Sequence, residues 1–288
     1  MAPVLVTGPN GFVGGHLRAE LGQAFVPFEG DVLDAEALRE AVRVADAIVH
    51  LAAESSVAAS WEDAFRAWRV NVDGTVNVLA AVRAERPDAR VLFASTCEVY
   101  GNASRIPTPE HERVAPVSPY AASKAAAELA CGVSGLDVVV ARATNHEGPG
   151  RDDRFAVGSW TRQIARLEAE GGGTLRVGDL SAERDLLDVR DVCRAYRLLL
   201  DRSVPAGTYN VASGETVTMA HVIEVLVGLA RVSVHVERDE SRVRPAEVPR
   251  LAGDPSRLHA ATGWHAEIPL ERTLADTLEA AREMEPVS

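Results

Sequence analysis

Ala2-Pro3-Val4-Leu5-Val6-Thr7-Gly8-Pro9-Asn10-Gly11-Phe12-Val13-Gly14 stands near the start of the chain. Ala2 to Thr7 is a short apolar run and reads as a buried strand. Helical periodicity begins at Phe12 and continues to about Leu21. Between the two, Gly8, Gly11 and Gly14 are spaced G-x-x-G-x-x-G. A glycine triplet alone is weak evidence; between a first strand and a first helix it is much stronger. The glycines let the backbone turn tightly and approach a pyrophosphate, which the free N–H groups of the helix then face.

The same alternation spreads outward. Short strands are expected at Ala24 to Phe28, Ala47 to Leu51, Val91 to Ser95 and Val138 to Ala141. Helices fall between them: one capped by Asp34 and ending near Val44, one from Trp61 to Ala84, and one from Ser118-Pro119 to about Cys131. Apolar strands without alternation, separated by helices, describe a parallel sheet covered on both faces. After about residue 145 the rhythm loosens into short strands, glycine loops and further helices. The expected organisation is a dinucleotide-binding domain over 1–150, joined by later segments near 179–212, and a smaller mixed α/β lobe over 151–288.

Composition narrows the class. The chain has 288 residues, 47% apolar and 25% charged, enough to bury a full core. Its net charge of −12 argues against a nucleic-acid surface. No apolar run approaches the length of a membrane span. Cys97, Cys131 and Cys193 lack metal-type spacing and are odd in number, so free thiols in a cytoplasmic protein are expected, without a bound metal. The first residues show no basic n-region, so no signal peptide is expected.

The chain has one lysine, Lys124; the other 29 of its 30 basic residues are arginine. Lys124 follows Tyr120 by four residues, so both project from one face of a helix. With four tyrosines in the chain, chance produces this spacing roughly once in 70 chains. An adjacent ammonium stabilises a phenolate and lowers its pKa. It also reaches ribose hydroxyls as a compact donor, which the planar guanidinium does not imitate.

Ser95-Thr96-Cys97-Glu98-Val99-Tyr100-Gly101 closes the strand before that helix, at the edge where such sheets bind ligands. The hydroxyls of Ser95 and Thr96 can bond a reacting carbonyl or carbinol. Glu29 and Asp31 follow the second strand, where an acid commonly meets the adenosine ribose. Asp31 is expected near the adenine, and Glu29 is the weaker ribose candidate. No arginine follows that strand, which favours NAD over NADP. His16, His146 and His221 have no partner motif and read as surface or packing groups. Trp61 and Trp68 read as core.

Taken together, Gly8-x-x-Gly11-x-x-Gly14, His50-Leu51-Ala52-Ala53, Asn71-Val72-x-Gly74-Thr75 and Tyr120-x-x-x-Lys124 resemble the extended short-chain dehydrogenase/reductases that act on nucleotide sugars. The resemblance covers essentially the whole chain. It implies a Rossmann fold with a doubly wound parallel sheet. It assigns Thr96 with Ser95, Tyr120 and Lys124 to catalysis. The cofactor would be held by Gly8, Asn10, Gly11, Phe12, Val13, Asp31, Val32, Leu51, Ala52, Ala53, Tyr120 and Lys124. The segments His50 to Trp61, Arg142 to Gly150, Val177 to Asp191 and Arg244 to Pro249 are similar to those of GDP-4-keto-6-deoxymannose reductases and GDP-mannose 4,6-dehydratases. Ser55, Cys97, Asn145, Arg184 and Arg244 would then face the nucleotide sugar, with the arginines on its diphosphate.

The expected activity is NAD(P)H-dependent reduction of the 4-keto group of a nucleotide-linked 6-deoxyhexose. Ser95 to Gly101 departs from that pattern. Its Thr-x-Glu-x-Tyr-Gly spacing resembles dehydratases and decarboxylases, with Glu98 in the place of a base and Cys97 in that of an acid. A 4,6-dehydratase or 4-epimerase that retains NAD+ is therefore the alternative. The resemblance also implies a homodimer paired through a four-helix bundle.

Overall fold

The computed structural model describes residues 2–242 and 248–285. The elements follow in chain order: β1 (Val4–Thr7), α1 (Phe12–Leu21), β2 (Phe25–Phe28), α2 (Ala35–Val42), β3 (Ala47–His50), α3 (Val57–Glu62), α4 (Ala64–Trp68), α5 (Gly74–Glu85), β4 (Arg90–Thr96), α6 (Pro119–Val133) and β5 (Val138–Ala143). Then come β6 (Asn145–Glu147), α7 (Ala156–Glu170), β7 (Gly173–Val177), β8 (Glu183–Arg184), β9 (Leu186–Asp188), α8 (Val189–Leu199), β10 (Gly207–Val211), β11 (Val217–Thr218), α9 (Met219–Gly228), β12 (Val234–Arg238), β13 (Arg250–Leu251), α10 (Ser256–Thr262) and α11 (Leu270–Met284).

Six strands form one parallel sheet in the order β2-β1-β3-β4-β5-β10. After β2 the chain crosses to the far side of β1. The connections leaving the carboxyl ends of β1 and β3 therefore run to opposite faces of the sheet and leave a crevice at the switch point. β1, β3 and β5 are buried along their whole length. On one face Leu5, Ile48, Val91 and Phe93 pack against Leu38, Val78, Val82 and Ala127 from α2, α5 and α6. On the other, Val4, Val6, Val49 and Leu92 meet Leu17, Val192, Tyr196 and Leu199 from α1 and α8. A strand buried on both sides has no polar face, which is why its sequence does not alternate.

Local signals hold the helices that matter for the site. Asp34 caps α2, accepting from the backbone of Glu36 and Ala37 at 3.1 and 3.0 Å. Ser118 caps α6, accepting from Ala121 N–H at 3.1 Å, and Pro119 fills the first turn. The single helix expected over Trp61 to Ala84 is instead broken. Asp63 leaves helical geometry and caps α4 through Arg66 N–H at 2.9 Å. A π-helical turn, Arg69–Asp73, then separates α4 from α5 and turns Asn71 inward.

Trp61 and Trp68 are also not core residues. They are 57% and 42% exposed, and Phe65 between them is 86% exposed. Helical periodicity shows which residues share a face, but not whether the domain itself covers that face.

Beyond β5, two strand pairs and a three-stranded sheet make the second layer of structure: β7 with β12, β6 with β9, and β11-β8-β13. α7, α9 and α11 close around Trp160, Ile164, Leu175, Leu226 and Leu278. The late strand β10 pairs with β5 in the large sheet. Among the described residues no helix is long and apolar enough to cross a membrane. Cys97, Cys131 and Cys193 are all free thiols and buried.

Candidate active site

Gly8 has φ +68, and a Cβ there would lie 2.9 Å from the backbone nitrogen of Ala52. A Cβ on Gly14 would lie 2.4 Å from the carbonyl oxygen of Gly8. The glycines thus let α1 begin directly beneath the loop and let the loop touch the end of β3. Phe12 and Val13 form the first turn of α1. A cleft of about 290 Å³ opens there, lined by the loop residues Gly8 to Gly11, by Phe28 to Val32, and by Ala52 and Val70. Glu29 and Asp31 both stand on this cleft, and among the described residues no lysine or arginine lines it. Asp31 also stabilises its own turn by accepting from Leu33 N–H at 2.9 Å. Leu51 follows β3 and donates its N–H to the Thr7 carbonyl at 3.3 Å; Ala53 comes two residues later.

A buried hydrogen-bond chain stiffens this rim. Thr7 Oγ1 accepts from Ala52 N–H at 3.2 Å and pairs with His50 Nδ1 at 2.7 Å. His50 Nε2 pairs with Thr75 Oγ1 at 3.0 Å, and that hydroxyl donates to the carbonyl of Asn71 at 2.6 Å. Because Thr75 spends its proton on Asn71, His50 carries a proton on Nε2, and as a neutral ring it accepts the Thr7 hydroxyl at Nδ1. Burial, reinforced by the charge of Lys124, pushes its pKa down to about 3. Asn71 Nδ2 continues the chain to Ser123 Oγ at 2.8 Å, and Ser123 donates to the carbonyl of Tyr120 at 2.7 Å. The cofactor rim and the helix bearing Tyr120 are thereby one connected unit.

Thr96 ends β4 and accepts from Glu98 N–H at 3.2 Å. It also hydrogen-bonds the side chain of Tyr120. Tyr120 N–H is anchored by Ser60 Oγ at 3.1 Å. Burial raises the Tyr120 phenol and the Glu98 carboxylate raises it further, while the bond to Thr96 and the Arg151 guanidinium pull the other way. Lys124, one turn on, is only 3% exposed and lies 4.3 Å from the centre of the Phe93 ring. Burial lowers its pKa to about 8, against opposing effects of Cys131 and Glu128.

The remaining expected residues divide. Glu98 is half-buried in the turn after β4, and its charge acts on both Tyr120 and Arg184. Arg184 loses basicity through burial and donates to the carbonyls of Glu183 and Pro249 at 2.9 and 3.3 Å. Asn145, on β6, holds a buried Oδ1 with no hydrogen-bond partner. Ser55 is exposed after β3. Ser95 donates instead to Glu128, two turns beyond Tyr120 on α6. Arg244 lies outside the described residues.

Cys97 corrects the sequence reading. Its thiol is fully buried, donates to the carbonyl of Arg142 at 3.2 Å, and sits among Val99, Tyr100, Val248 and Leu251. Burial raises its pKa well above the ordinary thiol value. It is a packing residue beneath the site.

Arg151 is a site residue that motif reading passes over. Its guanidinium lies 3.7 Å from the Phe155 ring, 4.8 Å from the Phe12 ring, and 3.1 Å from buried Glu147. Its charge acts on Tyr120 and His146, so it bridges the glycine-loop helix and the catalytic cluster. His146 stacks on Phe12 with ring centroids 6.2 Å apart. The only signal in the sequence is a cation just after the turn Gly148-Pro149-Gly150.

A glycine cradle at a sheet switch point, with a Tyr–Lys pair and a threonine at the adjacent strand end, fits a dinucleotide and defines a short-chain dehydrogenase/reductase. Comparison with known proteins agrees. The profile of the GDP-mannose 4,6 dehydratase family covers residues 18–277. The GDP-6-deoxy-D-mannose reductase of Pseudomonas aeruginosa is 38% identical over 94% of both chains. The structure of RMD from Pseudomonas aeruginosa complexed with NADPH superposes with TM-score 0.90 at 36% identity, covering 98% of this chain and 99% of that one. UDP-glucose 4-epimerase from Thermus thermophilus, complexed with NAD, superposes with TM-score 0.83 at 29% identity over 98% and 100%. The chain belongs to the GDP-mannose 4,6 dehydratase family and is an NAD(P)-dependent nucleotide-sugar enzyme of the extended short-chain dehydrogenase/reductase type.

Proposed function

We propose that the protein reduces the 4-keto group of a GDP-linked 4-keto-6-deoxyhexose, using NADH. The observation that carries this reading is the cluster of buried Thr96 and Lys124 with half-buried Tyr120 at the carboxyl end of β4, within a chain similar along nearly its full length to a GDP-6-deoxy-D-mannose reductase.

When bound, the nicotinamide supplies the hydride. The chain's own residues do the rest. Tyr120 gives its proton to the C4 oxygen as the carbonyl becomes an alcohol. Thr96 orients that phenol and bonds the same oxygen. The positive charge of Lys124 lowers the cost of the phenolate left behind. Arg184 meets the diphosphate, and Asn145 Oδ1 accepts from a sugar hydroxyl, which satisfies an otherwise orphaned buried acceptor. Arg151 faces the cofactor between Phe12 and Tyr120.

The carboxylates of Glu29 and Asp31 on a cleft without lysine or arginine support NADH over NADPH. A 2′-phosphate would bring negative charge to a rim with no cation to receive it. The exposed apolar face of Trp61, Phe65 and Trp68, beside Leu129 at 74% and Val133 at 84% on α6, supports a homodimer through these helices.

One observation keeps a second reading. Glu98 is close enough to Tyr120 to alter its basicity, which suits a base at the sugar C5 in an NAD+-retaining 4,6-dehydratase. Mass spectrometry separates the two. With GDP-4-keto-6-deoxymannose and NADH, the reductase product gains the mass of two hydrogens. With GDP-mannose and NAD+, a dehydratase product loses the mass of water.

A further inference from the structure

The sheet-facing side of α6 carries three polar residues at successive turns: Tyr120, Lys124 and Glu128. Tyr120 bonds Thr96, and Lys124 lies over Phe93, both on β4. Glu128 is the third, and the reduction mechanism does not use it. Its side chain is only 9% exposed. It accepts from Ser95, the neighbour of Thr96 on β4, and from Arg142 on β5, through Nε at 3.0 Å and Nη2 at 2.6 Å. Ser95 and Arg142 are direct partners in the β4–β5 register. Arg142 is itself held by the Glu110 carbonyl at 3.2 Å and lies 4.8 Å from the Tyr100 ring centre.

We infer that Glu128 is a positioning residue, tying the helix of Tyr120 and Lys124 to the strand of Thr96 and keeping the lysine beside it charged. The inference rests on the reductase reading for its catalytic consequence, but not for its geometry. A helix packed on a sheet through apolar contacts alone can slide by fractions of an ångström at little cost, and such a shift degrades proton transfer. A charge-assisted, bidentate attachment two turns beyond Tyr120 removes that freedom. Glu128 also stands at the i,i+4 position from Lys124, on the same face. Among the described residues, the charged and titratable groups around Lys124 are Tyr120, Glu128 and Cys131 on α6, and neutral His50 from β3. Only Glu128 supplies a standing negative charge, and it favours the ammonium against burial.

The single lysine makes the test direct. Protein labelled with ¹³C and ¹⁵N lysine gives one side-chain signal, and its titration reports Lys124 alone. In wild-type protein the midpoint is expected near 8. In Glu128→Gln it moves to lower pH by about half a unit or more. An unmoved midpoint overturns the inference.

Turnover supplies the second readout. On the keto sugar kcat is expected to fall about tenfold or more, with the Kd for NADH unchanged. An unchanged kcat overturns the inference. If Glu128→Gln does not fold, because Arg142 is left buried and unpaired, the doubly neutral Glu128→Gln/Arg142→Gln protein takes its place. There the lost guanidinium offsets the lost carboxylate at Lys124, so turnover is the readout: kcat is expected to fall about tenfold or more, and an unchanged kcat overturns the inference. If wild-type protein reduces no nucleotide sugar while the lysine midpoint still shifts, the functional reading fails and the positioning role stands.

Discussion

The ammonium of Lys124 lies 4.3 Å from the centre of the Phe93 ring, on the covered face of β4. An ordinary surface lysine extends into water. This one is held inside the domain against an aromatic face, with its pKa lowered to about 8 by burial. The folded protein therefore binds fewer protons than the unfolded chain between pH 8 and 10.5. Below that window Lys124 destabilises the fold, and the penalty lifts as pH rises through it.

Two substitutions follow from this. Lys124→Arg keeps the charge but loses most turnover, on the order of a hundredfold or more, because the guanidinium fork cannot enter the same space. Lys124→Met is also inactive, yet it melts at a higher temperature than wild type at pH 7, and the gap closes towards pH 10.5. Steady-state kinetics and calorimetry at several pH values check both. Full activity in Lys124→Arg would sink the catalytic assignment.

His50 gives an acid counterpart. Its pKa falls from 6.5 in the unfolded chain to about 3 in the fold. Stability contributed by its neutral form is complete above pH 6.5 and is lost as pH drops towards 3, amounting to a few kcal/mol at most. His50→Gln should flatten the stability profile across that window. An unchanged slope would place the acid sensitivity elsewhere.

Cofactor choice can be read by titration. NADH should bind more tightly than NADPH, by roughly tenfold or more. Replacing Glu29 and Asp31 together, as Glu29→Ser and Asp31→Ser, should narrow that ratio chiefly by improving NADPH. A wild-type preference for NADPH would contradict the reading of the rim.

The apolar face of α4 and α6 predicts a dimer. Phe65→Glu with Val133→Glu should yield monomers in analytical ultracentrifugation. Both side chains point into solvent in the single chain, at 86% and 84% exposure, so the monomer should stay folded. A wild-type protein that sediments as a monomer would remove the proposal.

Local rules account for what was legible beforehand. The glycine spacing, the Ser118–Pro119 start of α6 and the Tyr120–Lys124 pair are each set by geometry within a few residues. Asp34 likewise caps its own helix. What escaped depends on distant contacts. Cys97 sits on the site-bearing strand end, yet its thiol points into a pocket closed by Val248 and Leu251. Ser95 and Thr96 are adjacent hydroxyls, and only the packing of α6 decides that Glu128 takes one and Tyr120 the other. Arg151 draws its place from Phe12, Phe155 and Glu147. Trp61 and Trp68 carry the apolar signature of a core without being enclosed by one.

Reduction requires that hydride reaches C4 of the sugar and is not returned to the cofactor. The most direct measurement uses NADH deuterated at the transferring position of its nicotinamide, with GDP-4-keto-6-deoxymannose, and reads the product by NMR. One deuterium at C4, none at C5, and stoichiometric oxidation of the cofactor are expected. An absence of deuterium at C4, with solvent hydrogen exchanged into C5 instead, would contradict reduction and hand the site to Glu98.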